Sequence, residues 1–267
     1  MQPNNVLDFR RLGYYFRQHM VASFRPYLLS TLSIFGLLLI LPSLVILSNN
    51  SRIDLSDIVA FYYIGLFVGG LWFTSMAFSE FNNKEKAVSF LMLPASMFEK
   101  FITAFLVTTV GFLLVYHLCA YTAFIIVNKI AVAKTGFPIV IDWDFFSKDN
   151  GQLYIYFTYI FLHGVFLVGA LYFNKQAFIK TQVVLLVTLL FIYLINCLFV
   201  LLLFGNNMRY PFEQLPFVLV ATRSAINGSS LYVISEPMIR SYIFIAQYLL
   251  APILWTIAYF RLKDKEI

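Results

Sequence analysis

The chain contains 267 residues, of which 61% are hydrophobic and only 12% are charged, and its mean hydropathy is +0.81. Ordinary soluble domains contain about 25% charged residues, so this composition excludes a soluble globular protein and indicates an integral membrane protein. The formal net charge of +6 does not indicate a nucleic-acid partner, because the basic residues are sorted by membrane side, as described below. We therefore expect a lipid membrane, and no nucleic acid, around this chain.

Six apolar stretches approach or exceed the roughly 20 residues that a helix needs to cross about 30 Å of hydrocarbon. None of them contains Asp, Glu, Lys or Arg. They cover residues 27–47, 58–78, 101–127, 154–173, 183–204 and 242–260. The predicted fold is therefore an all-α membrane protein with six transmembrane helices, in which residues 27–267 form one membrane domain.

The polar segments that join these spans carry unequal charge. With six spans, both termini share a side with residues 79–100 and 174–182, and that side holds 12 Lys and Arg residues. The opposite side, which includes residues 128–153, holds 7. Because basic residues accumulate on the cytoplasmic side, we predict a multi-pass protein of the plasma (inner) membrane with both termini in the cytoplasm.

The first 26 residues are polar, yet their apolar residues recur with a helical period. One side of the helical wheel carries Phe9, Leu12, Phe16, Met20 and Phe24, and the other carries Arg10, Arg11, Tyr14, Arg17, Gln18 and Arg25. This pattern predicts an amphipathic helix that lies in the cytoplasmic membrane interface and ends at Pro26, with its arginines toward the lipid headgroups. A merely basic tail that only supports orientation is the alternative.

A polar segment, residues 79–100, interrupts the apolar pattern between the second and third spans. It carries Glu80, Lys84 and Glu85, and it continues through Pro94 to Ser96. Ser96 and Glu99 have the spacing of a capping box, so the third helix is expected to begin near Met97. From the residues alone, this segment is either a plain polar hairpin or a short helix that a soluble partner contacts.

Two further features concern the helix arrangement. The segment 205–241 is too long for a simple hairpin turn and contains three prolines, which predicts a re-entrant helix pair on the outer side. Gly65 and Gly69 in the second span form a Gly-x-x-x-Gly step that allows another helix to approach closely. That other helix belongs either to the same chain or to a second copy.

The sequence provides no catalytic, cofactor-binding or metal-binding motif. A Walker phosphate loop, a zinc-protease motif and a nucleophile elbow are all absent. The uncharged spans speak against a proton-coupled carrier or an ion pump, which needs buried ionisable groups. His117 and His163 lie in spans three and four and are interpreted as packing residues, with a shared ligand site as the alternative. The chain itself is therefore not expected to be an enzyme.

The order of these elements resembles the membrane subunits of type-2 ABC transporters. In that family, the loop after the second span has acidic residues, a short helix, a Leu-x-Pro-x-Ser-like turn and then a lysine. The matching positions are Glu80, Glu85, residues 87–92, Leu93, Pro94, Ala95, Ser96 and Lys100. Shorter likenesses to a poorly characterised branch lie at Gly169, Phe173, Lys175, Phe178, Lys180, Thr181 and residues 259–265. Lys86 and Ala87 depart from the family's usual Gly-Thr or Gly-Ser.

The resemblance implies that residues 79–96 form a cytoplasmic coupling helix that docks into a separate cytosolic ABC ATPase. The residues expected to carry this contact are Glu80, Lys84, Glu85, Phe90, Leu91, Pro94 and Ser96. It also implies two permease subunits, identical or different, and a re-entrant outer lid at 205–241. The expected function is the permease subunit of an ATP-driven exporter. The alternatives are a membrane scaffold or assembly factor that transports nothing, and an intramembrane enzyme that uses His117 and His163.

Overall fold

The computed structural model of the chain describes residues 7–48, 54–139, 152–173, 175–204, 219–224 and 228–266. These residues form eight helices and one β-hairpin. The helices are α1 (Phe9–Ala22), α2 (Phe24–Ser48), α3 (Leu55–Ser75), α4 (Lys84–Met92), α5 (Met97–Thr135), α6 (Gln152–Tyr172), α7 (Ala177–Phe204) and α8 (Glu236–Lys263). The strands are β1 (Leu219–Ser224) and β2 (Gly228–Val233).

Among the described residues, six helices are long and apolar enough to cross a membrane, namely α2, α3, α5, α6, α7 and α8. This agrees with the predicted number of spans and with a multi-pass membrane protein. The third of them, α5, has 39 residues, which corresponds to about 58 Å of helix. It therefore extends well beyond the roughly 30 Å of hydrocarbon that it has to cross.

The start of α5 agrees with the sequence prediction, whereas the end of α1 does not. Ser96 caps α5 by accepting from the Glu99 backbone N–H, and the Glu99 carboxylate accepts from the Ser96 backbone N–H. Helix α1 ends at Ala22 rather than at Pro26, and α2 begins at Phe24. Pro26 thus lies in the first turn of α2, where its missing N–H has no partner to lose.

The predicted re-entrant helix pair is wrong for the described part of residues 205–241. There the backbone forms an antiparallel hairpin, in which Leu219 pairs with Val233 and Ser224 pairs with Gly228. Residues 205–218 and 225–227 lie outside the described residues. The prolines that led to the helix-pair prediction at 211 and 216 lie in that undescribed part, and Pro237 lies in the first turn of α8.

The chain divides into two compact units, residues 1–178 with 251–267 and residues 179–250. The second unit contains most of α7, the hairpin and the first half of α8. In the first unit, the main cluster of buried residues gathers side chains from five helices and from the turn after α3. It consists of Tyr15, Phe78, Phe90, Met97, Phe101, Ala104, Leu167, Ala170, Leu171, Ala258 and Leu262.

Glycines in α3 allow α5 and α6 to approach closely within the same chain. A Cβ atom at Gly65 would lie 2.9 Å from the Tyr116 hydroxyl on α5. A Cβ atom at Gly70 would lie 2.7 Å from the Tyr159 ring on α6 and 2.8 Å from the Phe112 ring on α5. The small residues of α3 therefore serve packing inside this unit, which is one of the two alternatives that the sequence left open for the Gly-x-x-x-Gly step.

The Gly70→Ala variant should destabilise the protein, because the new methyl group would collide with two buried rings. Such overpacking typically costs about 1–3 kcal/mol. Gly36→Ala in α2 is the matched control, since a Cβ there meets nothing within 4 Å, and it should be neutral or stabilising. Thermal unfolding of both variants in detergent measures the difference. Equal midpoints for the two variants would contradict this packing.

Candidate functional site

The functional site predicted from the sequence lies at one end of the first unit, which we call the terminal face. It consists of α1, the 3₁₀ turn Ser79–Asn82, α4 and the first turn of α5. Helix α4 begins where the Asn83 side chain accepts a hydrogen bond from the Glu85 backbone N–H. It ends before Leu93 and Pro94, because Pro94 disfavours helical backbone in the residue that precedes it.

Glu99, in the first turn of α5, binds α1 to the third span. Its side chain has no exposed surface. One carboxylate oxygen accepts from Arg11 Nε at 2.7 Å, and the other accepts from Arg11 Nη2 at 2.8 Å and from the Asp8 backbone N–H at 2.8 Å. The first oxygen also accepts from the Ser96 backbone N–H at 2.9 Å. Four donors therefore compensate one buried charge, and two protein segments distant in sequence meet at it.

The next residue, Lys100, binds α4 to the same turn of α5. It is 2% exposed. Its ammonium group donates to the Leu91 carbonyl at 3.1 Å and lies 5.1 Å from the centre of the Phe90 ring. A cation near the carbonyl end of α4 is also favoured by the helix dipole. Two neighbouring residues of opposite charge thus hold two different helices, α1 through Glu99 and α4 through Lys100.

Helix α4 has a buried side and an exposed side. Phe90 is 7% exposed and packs edge-on against the Phe81 ring, and removing such a side chain from water contributes about 1.5–3 kcal/mol. The opposite side presents two apolar residues to the surroundings, Val88 at 55% and Met92 at 79% exposure. Lys84 and Glu85 are exposed beside them. The exposed side of α4 therefore combines apolar and charged groups, while the buried side is fixed by contacts with Lys100 and Phe81.

A cleft of about 490 Å³ separates α1 from α4. Tyr15 and His19 line it from α1, Lys86 lines it from α4, and Glu80 lines it from the preceding turn. One oxygen of the Glu80 carboxylate is buried without a hydrogen-bond partner. Burial raises the pKa of Glu80, although the nearby Lys86 lowers it in part. Burial likewise raises the pKa of Tyr15, and the Glu80 charge adds to that rise.

Helix α1 has three sides rather than two. Arg11, Tyr15 and His19 follow one another at four-residue steps and face the protein, where His19 Nε2 lies 2.7 Å from the Tyr27 hydroxyl. Burial lowers the pKa of His19, which favours its neutral form. The apolar residues Phe9, Phe16 and Met20 are exposed. The third side is polar and carries the exposed arginines Arg10 and Arg17.

The seven predicted coupling residues all lie on the terminal face, but they have different environments. Lys84, Glu85 and Pro94 are exposed, and Ser96 caps α5. Phe90 and Leu91 hold α4 against α5 instead of offering surface, and Glu80 lines the cleft. Of the four predicted interfacial arginines, Arg10, Arg17 and Arg25 are exposed, whereas Arg11 is bound by Glu99.

The two intramembrane histidines belong to separate clusters and do not meet. His163 is fully buried, and its Nε2 atom lies 3.1 Å from the Thr108 hydroxyl and 3.3 Å from the Thr109 hydroxyl. Those hydroxyls donate to backbone carbonyls of α5, so Nε2 is the donor to them. The π-helical turn Val107–Gly111 turns both threonines toward α6.

His117 joins three spans near the other end of the unit. Its Nδ1 atom lies 2.7 Å from the Leu113 carbonyl and therefore carries the proton. Its Nε2 atom accepts within a triangle formed with the hydroxyls of Tyr62 at 3.0 Å and Tyr156 at 3.1 Å, which lie 2.7 Å from each other. No group of three or more His, Cys, Asp or Glu side chains fit to bind a metal occurs among the described residues. Both histidines thus connect helices, and a joint catalytic pair is not formed.

The salt bridge between α1 and α5 was not predicted from the sequence, although a signal for it was present. Tyr15 and His19 belong to neither side of the amphipathic pattern assigned to α1, and together with Arg11 they form a stripe at helical spacing. Such a third stripe indicates a helix that contacts protein as well as lipid. Glu99 was recognised only as a capping residue, because its partner lies 88 positions away in the chain.

The Arg11→Gln variant should lower the thermal midpoint by about 5 °C or more, because it leaves the buried Glu99 charge undercompensated. Arg10→Gln, one residue earlier and exposed, should change it by no more than about 1 °C. The double variant Arg11→Gln/Glu99→Gln should regain part of the loss, since it removes the stranded charge. Thermal unfolding in detergent tests all three. A double variant less stable than Arg11→Gln would oppose this account.

Stability should also depend on the ionisation of Glu80. Because burial raises the pKa of Glu80 in the folded protein, the unfolded state loses its proton first, and stability falls as pH rises from the ordinary glutamate pKa through the raised one. The Glu80→Gln variant should therefore melt above the wild type at pH 7.5 and show a smaller fall between pH 5 and 7.5. Glu85→Gln, at an exposed position, is the control. Identical pH slopes for wild type and Glu80→Gln would refute this reading.

No protein-family model, no curated protein and no solved structure matches this chain. The likeness to type-2 ABC transporter subunits therefore depends on the short motifs quoted above and on the order of the spans.

Proposed function

We infer that this chain is the membrane-spanning permease subunit of an ATP-driven exporter and that α4 is the helix through which a separate cytosolic ATPase acts on it. The observation that carries the proposal is the two-sided construction of α4. Its exposed side offers Val88 and Met92, and its buried side is fixed to the first turn of a membrane span through Lys100.

This construction suits a helix that passes force into the membrane. A partner that moved α4 would act on α5 directly, because the Lys100 ammonium binds the last turn of α4 at the Leu91 carbonyl. It would act on α1 as well, because Glu99, the neighbouring residue of α5, binds Arg11. Rigid-body motion of packed helices is an established way to transmit a change between sites.

The exposed side of α4 has the composition of a protein-binding surface. Apolar residues flanked by charged ones are typical of the centre and rim of an interface. Met92, at 79% exposure, has a flexible and polarisable side chain that adapts to a partner's surface. A helix of only nine residues offers a small contact area, so we expect α1 and the cleft around Glu80 to contribute to the interface.

Energy must come from a partner under this proposal, since the chain has no Walker phosphate loop. The positive-inside distribution of its basic residues supports a cytoplasmic location for the terminal face, where an ATPase has access to ATP. Two permease subunits, identical or different, would then enclose the transport path. The proposed cellular site is the plasma (inner) membrane.

Purification of the tagged protein in mild detergent tests this proposal. The wild type should co-purify with an ATPase that has a Walker motif. The amount of this ATPase should fall by about tenfold or more in the double variant Val88→Glu/Met92→Glu, because that variant changes central residues of the interface. Lys175→Gln, at an exposed position outside α4 and the cleft, is the control and should retain the wild-type amount.

Two results would count against the permease function. A folded wild type that retains no Walker-motif ATPase would favour the scaffold alternative. Full retention of the ATPase by the double variant would show that α4 is not the contact. Unchanged elution and thermal midpoint of the double variant are required for the comparison, and its two substitutions lie at exposed positions for this reason.

A further inference from the structure

An apolar groove of about 410 Å³ lies beneath α1, between α2 and α5. Phe16 and Met20 of α1 line its upper end, and Ile34 of α2 lines its side. The hydroxyls of Ser30 and Thr31 also border it, but each donates at 2.9 Å to a carbonyl of its own helix. The groove thus offers hydrocarbon contacts and no free hydroxyl proton, which suits an apolar chain.

The length and direction of the groove fit one lipid acyl chain. Its lining on α5 runs from Leu106 to Cys119, which corresponds to about 20 Å along the helix axis. One leaflet of a bilayer contributes about 15 Å of hydrocarbon, half of the total of about 30 Å. Because α5 crosses the membrane, the groove extends from the level of α1 through the adjoining leaflet.

The floor of the groove is preformed. The π-helical turn of α5 directs Thr108 and Thr109 toward His163, while Val110 and Gly111 of the same turn line the groove. A Cβ atom at Gly111 would meet only the Leu106 carbonyl, at 3.5 Å, so the groove has open space at this position. The hydrogen bonds to His163 fix the backbone of this turn, and they thereby fix the positions of Val110 and Gly111 along the groove.

An exposed basic residue follows one of the α1 residues that line the groove. Arg17 comes directly after Phe16 in α1, and its side chain is exposed. Arg10 lines a separate pocket with Pro94 and Ala95. An anionic headgroup at the level of α1 would meet Arg17, which favours a negatively charged lipid over a zwitterionic one.

We propose that the groove beneath α1 binds one acyl chain of an anionic glycerophospholipid, with its phosphate at Arg17. The bound lipid would connect α1 to α2 and α5 on the side opposite to the Glu99 salt bridge. It would thus act as a structural ligand of the terminal face, and this role does not depend on the proposed transport function.

The proposal can be tested by native mass spectrometry of delipidated protein titrated with phosphatidylglycerol or with phosphatidylcholine of the same acyl chains. We expect one tightly bound phosphatidylglycerol per chain, preferred by about tenfold or more over phosphatidylcholine. Val115→Trp, which fills the groove, should lose both lipids. Leu118→Trp, on the same helix but outside the groove lining and 67% exposed, should bind as the wild type does.

Replacement of Arg17 distinguishes the contribution of the lipid headgroup to binding from that of the acyl chain. Arg17→Gln should reduce the preference for phosphatidylglycerol about fivefold and leave phosphatidylcholine binding unchanged, whereas Lys84→Gln, an exposed cation on α4, should change neither. Gly111→Leu fills the same groove and replaces Val115→Trp if that variant does not elute as a single species.

Three results would overturn the proposal. The first is a wild type that binds both lipids equally or retains neither. The second is retention of phosphatidylglycerol by the groove-filling variants. The third is loss of a dimer in those variants without a change in lipid binding, which would identify a second copy of the chain as the occupant of the groove.

Discussion

A buried carboxylate requires hydrogen-bond donors, and the groups that donate to Glu99 determine much of the arrangement of the terminal face. Its capping role fixes the start of α5, and its two bonds to Arg11 fix α1 against that start. A negative charge at this position is also favoured by the helix N-terminus. Lys100, the next residue, holds α4 by a cation at a helix C-terminus. Both charges therefore satisfy helix ends that would otherwise lack partners.

Within the spans, the energetic problem is different, because lipid offers no gain from burying apolar side chains. Close approach and polar pairing then hold the helices together. Gly70 lets the Tyr159 and Phe112 rings lie against the backbone of α3. His163 of α6 forms hydrogen bonds with Thr108 and Thr109, two neighbouring residues in the π-helical turn of α5. Polar residues that looked like candidates for catalysis thus have a sufficient role as connections between helices.

The sequence predicted those features that depend on local pattern. The six spans follow from uninterrupted apolar runs, and the start of α5 follows from the spacing of Ser96 and Glu99. Features that depend on distant residues were missed. The bond from Arg11 crosses 88 positions, and a wheel of α1 alone shows Arg11 only as one more basic residue. The β-hairpin was missed because long, proline-containing connections between spans have no helical or strand period of their own.

The three sides of α1 give this helix a position between two sets of contacts. Its protein side is bound to Glu99 and borders the cleft toward α4, while its apolar side covers the groove toward α2 and α5. Under the proposed coupling, a load applied to α4 would reach α1 through the first turn of α5, and the resistance of α1 to that load would depend on whether a lipid fills the groove. An occupied groove would hold α1 in place, so that the motion passes into α5. An empty groove would let α1 yield, and less of the motion would reach the membrane span.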